Sequence, residues 1–394
     1  MPNSKLLVLL LIVFIDLMGF GIAIPILPLL IEDVGGNPFL VGVVIALFSF
    51  FQFIFSPILG RLSDKYGRRP VLIISSIINS LSYFLIFFFQ GLWIIIAARI
   101  IAGIGSANIS VTQAYVADTT ASHERTKTMA LLGAAFGLGF IFGPLIAGVV
   151  SGLFGSNAPF LIPALLSLIN TLLILVVLPE SNKILQKHIK IELINIKVAR
   201  EVLRPKNMAF LMFLFFFINL TLALIIGVFP LYSQARFGWD ETQNGYYFAL
   251  IGAGSFITQI YLIRLLLKRF TEAAIIRLAL LVFGLSIIGV GLSPSGLITY
   301  ILGPFSSFGF SLLNVNTQSL ISLESTEDKQ GMVLGVAQSF ASLARTIGPL
   351  IGGTIATFNL GLPYIVSGFM SLAILFLGGG YLRYMKTREK HGVK

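Results

Sequence analysis

Three charged side chains, Asp16, Arg99 and Arg345, stand inside long apolar runs of this 394-residue sequence. Charge inside hydrocarbon is unfavourable, and where it is kept it faces a partner, a wet cavity or a transported ion. A carboxyl such as Asp16, if its surroundings change between two states, takes up a proton in one and releases it in the other. Arg99 is the cation placed to answer it. A static Asp16–Arg99 strut is the alternative to proton exchange. Arg345 stays charged and needs a partner or water. It shares a helical face with Gln338 and Ser342. The three intramembrane charges sum to a positive value, which suits a zwitterion or an anion better than a lipophilic cation. The bland alternative for Arg345 is a clamp onto backbone carbonyls.

Polar residues at helical spacing outline a cavity. Arg99, Gly103, Ser106, Ser110 and Gln113 recur along one run, and Ser307, Ser311, Asn314 and Gln318 along another. Small residues on such faces serve packing more often than binding. The expected cavity lining is therefore Asn108, Gln113, Asn219, Asn314, Gln318, Gln338 and Arg345. The chain has no cysteine, and its three histidines, His123, His188 and His391, are scattered. No thiol chemistry, metal cluster, catalytic triad or phosphate loop is in view. The expectation is no enzyme and no cofactor.

The elements that position these groups follow from composition. Hydrophobic residues make up 56% of the chain and charged ones 11%, with a mean hydropathy of +0.95. A soluble domain carries about a quarter charged residues, so a water-facing shell cannot be built, and disorder is equally excluded. The apolar runs are long enough for helices that cross a bilayer, not for the short alternating strands of a barrel. Twelve runs separate: 6–30, 39–59, 70–89, 92–117, 129–151, 158–178, 208–233, 244–267, 273–292, 297–320, 331–356 and 362–384. The first is not a cleavable signal, since it is long and holds Asp16, Pro25 and Pro28.

The net charge of +11 invites a nucleic-acid reading, but its placement argues for membrane orientation. Nearly all the basic residues fall in alternate loops and at the two ends, which puts both termini in the cytoplasm. Residues 181–207 form a polar linker, in which 187–203 reads as a short amphipathic helix or as a plain solvated connection. It divides an N-terminal six-helix bundle (1–180) from a C-terminal one (208–394). The halves repeat: GPLIAG at 143–148 recurs as GPLIGG at 348–353, and Pro28-Leu29 as Pro230-Leu231. The fold class is an all-α membrane protein of twelve helices in two pseudo-symmetric bundles. Such an architecture holds a substrate site at the interface of its repeats.

The loop after the second run reads GRLSDKYGRR (60–69). With it the chain resembles the major facilitator superfamily, and the drug:proton antiporter branch in particular. DLMGFGIAIPILP (16–28), RIIAGIGSA (99–107) and GLGFIFGPLIAG (137–148) are similar to the first, fourth and fifth helices of tetracycline-type exporters. In this reading Gly60 permits two helix ends to approach, and Asp64 sits at the start of the eleventh helix near Gly331, where negative charge is favoured. Arg68, beside Arg69, pairs with Asp118. The bland alternative makes Lys65, Arg68 and Arg69 mere inside-loop charge. Gly139, Gly143 and Pro144 form a small-residue seam that moves or simply packs closely.

The resemblance implies a proton-coupled exporter of small amphipathic molecules working by alternating access. It would be a monomer of the plasma (inner) membrane whose partners are substrate, protons and lipid, not nucleic acid. The chain departs from the tetracycline pattern: the third and ninth helices hold no acid and the eighth no histidine. The rival reading is a carrier of a small anionic metabolite, siderophore or lipid that uses Arg345 and Arg99.

Overall fold

The computed structural model describes residues 3–120, 122–182, 196–325 and 330–377. Among these the chain is helical throughout. The helices are α1 (Asn3–Asp33), α2 (Pro38–Tyr66), α3 (Arg68–Phe88), α4 (Leu92–Gly105), α5 (Ile109–Thr119), α6 (Ser122–Phe154), α7 (Leu161–Val177), α8 (Ile196–Leu203), α9 (Lys206–Ile226), α10 (Phe229–Phe237), α11 (Glu241–Ile257), α12 (Ile263–Leu267), α13 (Glu272–Gly291), α14 (Gly296–Leu323), α15 (Gln330–Ala356) and α16 (Leu362–Leu377). Ten spans among the described residues are long and apolar enough to cross a bilayer. α16 is apolar but shorter, and the glycines, hydroxyls and Arg345 of α15 dilute its apolar character.

Helix ends follow local chemistry. Asn37 caps α2 by accepting from the Leu40 amide at 2.9 Å, and Pro38 fills the first helical position, where no amide bond is lost. Thr271 and Ser295 cap α13 and α14 in the same way. Three expected runs are interrupted. A 3-10 turn, Ser106–Asn108, separates α4 from α5 within one span. A π-helical turn, Thr258–Leu262, separates α11 from α12. The run expected at 208–233 breaks after Ile226 into α9 and α10. Of the stretch 187–203 expected to form an amphipathic helix, Ile196–Leu203 is helical as α8, and 183–195 lie outside the described residues.

The chain divides into two compact units. One comprises Met1–Leu40, Val44–Ile194 and Asp240–Ala249, the other Val41–Val43, Asn195–Trp239 and Leu250–Lys394. Without water to drive association, helices in lipid hold together by close packing and interhelical hydrogen bonds. In the first unit α1 lies along α6 with main chain against main chain. A Cβ added to Gly143 would stand 2.9 Å from Gly21 Cα, and one added to Gly139 would stand 2.8 Å from the Phe14 carbonyl. Gly148 of α6 meets Thr242 and Gly245 at the start of α11 just as closely. The second unit repeats the α1–α6 seam between α9 and α15, where Gly348 packs on Ala223 and Gly352 on the Leu224 carbonyl. The sequence repeat is thus also a repeat of helix crossings. Hydroxyl bonds to neighbouring backbones reinforce the packing: Ser80 to the Ala164 carbonyl, Ser371 to Leu280 and Ser367 to Thr221, at 2.8–2.9 Å.

Gly143→Leu forces side-chain atoms into this seam, and overpacking of that kind costs about 1–3 kcal/mol. The midpoint of thermal unfolding of the purified protein in detergent should fall accordingly. Gly335→Leu is the control: a Cβ there meets nothing within 4 Å, and its midpoint should stay near the parent's.

Candidate functional site

Asp16 lies on α1 among residues that are buried on nearly every side. Its own side chain is 5% exposed. A carboxyl so placed requires hydrogen bonds. Asn79 of α3 supplies one, its Nδ2 donating to Asp16 Oδ1 at 2.6 Å. The oxygen of the same amide accepts from the Ser106 hydroxyl at 3.3 Å. Ser106 opens the 3-10 turn, and its carbonyl accepts from Gln52 Nε2 of α2 at 3.2 Å. Gly105 makes the approach possible, because an added Cβ would overlap the Asn79 amide. Asp16 Oδ2 has no partner. Asn108, on the same turn, is fully buried and its side chain interacts with this carboxyl, although neither amide atom reaches a partner with full hydrogen-bond geometry.

Arg99 does not form the expected ion pair with Asp16. Its guanidinium carbon stands 4.6 Å from the centre of the Phe48 ring, a cation–π contact. Gly103 allows this by bringing α4 onto the Phe48 carbonyl of α2. Arg99 is 2% exposed, and its Nε and Nη1 have no hydrogen-bond partner. Tyr83 of α3 interacts electrostatically with both charges. Its buried hydroxyl, also without a partner, rests against Gly19, one turn from Asp16. The static strut is therefore replaced by a set of buried polar groups with spare hydrogen-bonding capacity: Asp16 Oδ2, Tyr83, Arg99 and Asn108. Buried polar groups of this kind are commonly bridged by water.

A second polar network ties the loop ends of this unit. Arg68 is its hub. Its guanidinium pairs with Asp64 and with Asp118 (3.1 Å), and donates to the Ser63 hydroxyl at 2.6 Å. Arg69 donates to the Leu175 carbonyl. Gly67 joins α2 to α3 as a single residue at φ +103, a conformation side chains rarely adopt. Gly60 does not mark a close approach: an added Cβ would meet only Ser110 Oγ, at 3.8 Å.

Sequence reading missed Glu180. Its carboxylate accepts from the Arg68 and Arg69 amides at 2.8 and 3.1 Å, at the positive end of α3. The following residues strap the same loop. Ser181 donates to Asp118 and Asn182 to the Asp64 carbonyl, while Tyr115 holds the Pro179 carbonyl. The signal was present in PES (179–181), an acid just past an apolar run, but its target is distant in sequence.

The remaining candidates are exposed or bonded locally. Gln113 and Gln338 are exposed. Asn219 turns back to the Phe215 carbonyl of its own helix at 2.9 Å. Asn314 and Gln318 bond to each other at 2.7 Å. Arg345 donates to Ser342 at 3.1 Å and forms no ion pair among the described residues. Asn316, buried on α14, went unpredicted and bonds to its own helix. Among the described residues no group of three or more His, Cys, Asp or Glu could hold a metal.

Comparison with known proteins places this geometry. A family model described as Major Facilitator Superfamily matches residues 9–344. The chain belongs to that superfamily. It is 31% identical to the class C tetracycline resistance protein of Escherichia coli over 95% of this chain and 96% of that protein. It is 29% identical to multidrug resistance protein 2 of Bacillus subtilis (strain 168), over 92% or more of each. Among solved structures, a bacterial homolog of the human lysosomal transporter Spinster, inward-facing and unoccupied, superposes with a TM-score of 0.77 at 14% identity. It covers 95% of this chain and 94% of that one. The chain is thus a multi-pass membrane protein of a transporter family that handles small molecules, and not an enzyme.

Glu180→Ala removes the cap of α3, a loss of about 1 kcal/mol. It should lower the thermal midpoint of the detergent-solubilised protein, and Glu180→Asp should restore less than half of the loss, because the shorter side chain cannot reach both amides.

Proposed function

We propose that this chain is a proton-coupled secondary transporter that exports small amphipathic molecules by alternating access. In this reading α15 and α16 complete twelve transmembrane helices in two six-helix bundles, with both termini and the linker 181–207 cytoplasmic. The protein acts as a monomer in the plasma (inner) membrane. The carrying observation is the buried Asp16 carboxyl, one oxygen held by Asn79 and the other without a partner. Protonation of Asp16 from outside releases substrate there, and loss of the proton to the cytoplasm resets the cycle. One charge moved across 100 mV supplies about 2.3 kcal/mol.

The names of the tetracycline and multidrug resistance relatives support the substrate class. The absent acids and histidine argue for amphipathic drugs in general over tetracycline itself. Asn108, Gln113, Asn219, Asn314, Gln318, Gln338 and Arg345 are the residues this reading assigns to the substrate path. The Arg68 network then latches the outward-open state, while the seam at Gly139, Gly143 and Pro144 moves as α1 and α6 rock together.

In liposomes carrying a proton gradient, with ethidium as probe, Asp16→Asn should reduce gradient-driven export to the rate of protein-free vesicles. Full retention would remove the coupling role. A second reading, carriage of a small anionic metabolite, siderophore or lipid, draws on Arg99 and Arg345, since neither forms an ion pair with an acid among the described residues. Under it, Arg345→Ala abolishes binding of anionic probes and spares ethidium export. The export reading expects ethidium export to suffer as well.

A further inference from the structure

We propose that Asn79 is a positioning residue that reads the charge of Asp16 and passes it, through Ser106, to the 3-10 turn interrupting the fourth span. The inference rests on the reading of Asp16 as the proton carrier. Three buried side chains from three helices form one chain of hydrogen bonds, Ser106 to Asn79 at 3.3 Å and Asn79 to Asp16 at 2.6 Å. The amide is wedged against the bare backbone of Gly105, so it has little freedom beyond rotation about its own last bond. Ser106 is held at two points, its hydroxyl on Asn79 and its carbonyl by Gln52 of α2.

The direction of these bonds depends on the proton. An ionised carboxylate only accepts. Asn79 must then present N–H to Asp16 and its oxygen to Ser106, which forces the serine to donate. Once a proton is taken up and carried on Oδ1, the oxygen that faces Asn79, the carboxyl becomes a donor at that contact and Oδ2 is left as its carbonyl oxygen; a hydrogen bond to a neutral group is also about half as strong as one to a charged group. The amide is then free to turn over, with its oxygen toward the carboxyl and its N–H toward Ser106. The serine becomes an acceptor, and its hydroxyl hydrogen is released to the carbonyls of its own turn. One proton taken up from water is the whole chemical change. A short 3-10 stretch inside a helix is a common hinge, and this one receives the signal directly.

Few other groups compete for the role. Among the described residues the ionisable side chain that interacts with Asp16 is Tyr83 of α3, which also interacts with Arg99 of α4. From residue 128 to 177, across most of α6 and all of α7, there is no ionisable side chain. On α5, Tyr115 and Asp118 belong to the loop network, as does Asp64 of α2. Lys5, Glu32 and Asp33 lie near the ends of α1.

The test is an infrared pH titration of the full-length protein in liposomes, with the protonated-carboxyl band of Asp16 assigned by its loss in Asp16→Asn. Absence of any titrating band lost in that variant overturns the proton-carrier reading and this inference together. With the band assigned, Asn79→Leu should move its midpoint upward by about one to two pH units, the loss of one hydrogen bond to a charged group. Ser106→Ala should move it the same way by less. Asn79→Asp, which keeps the shape but places two carboxyls together, should retain the protonated band to higher pH still. A lowered thermal midpoint with an unmoved titration in Asn79→Leu overturns the inference and leaves Asp16 as the carrier. Should Asn79→Leu fail to fold, unmoved titrations in both Asn79→Asp and Ser106→Ala overturn it equally.

Discussion

A carboxylate surrounded by hydrocarbon must be solvated by protein, and much of the first unit is arranged to do so. Asp16 recruits Asn79 from α3, and Asn79 in turn requires a helix with no side chain at the contact, which Gly105 provides. Directly after Gly105 the fourth span leaves α-helical geometry for the 3-10 turn. Gly19 yields space to Tyr83 on the same face of α1. Each of these small residues lowers helix propensity by about 1 kcal/mol relative to alanine. Their presence around one buried acid is explained by the polar contacts they admit.

The two polar networks of this unit share a helix. α3 carries Arg68 at its first turn and Asn79 about three turns on. At its start, the Glu180 carboxylate and the Arg68 pairs hold the loop ends. Midway along, Asn79 holds the buried acid. A rigid helix anchored by charge at one end and by a buried amide in the middle can link events at the loop to events at the carboxyl without any chain of side-chain contacts between them.

The helical architecture, the repeat and the Arg68–Asp118 pair were legible in the sequence, because each depends on features that apolar context makes conspicuous: run length, glycine–proline spacing and a charged loop. The partner of Asp16 was not. In a chain whose lipid-facing and core-facing residues are both apolar, amphipathic periodicity is weak, so the rotation of α3 and α4 about their axes is hidden. Opposite charge suggested Arg99, and the structure chose an amide and an aromatic ring instead. The helix interruptions at Ser106–Asn108 and Thr258–Leu262 carry no Pro or Gly of their own, which is why they escaped notice. Glu180 depended on a long return of the chain, and the glycine whose backbone this loop requires is Gly67, at φ +103, while the close approach expected at Gly60 is not made.

The main-chain contact between α1 and α6 has a mechanical corollary. With Gly21 against Gly143, and Gly139 against the Phe14 carbonyl, no rotamers stand between the two helices to absorb a shift. The pair therefore behaves as one stiff beam. Because Asp16 sits on that beam between two of its welds, any tilt of α6 carries the carboxylate with it, and the acid cannot change its surroundings unless α3 and α4 slide past.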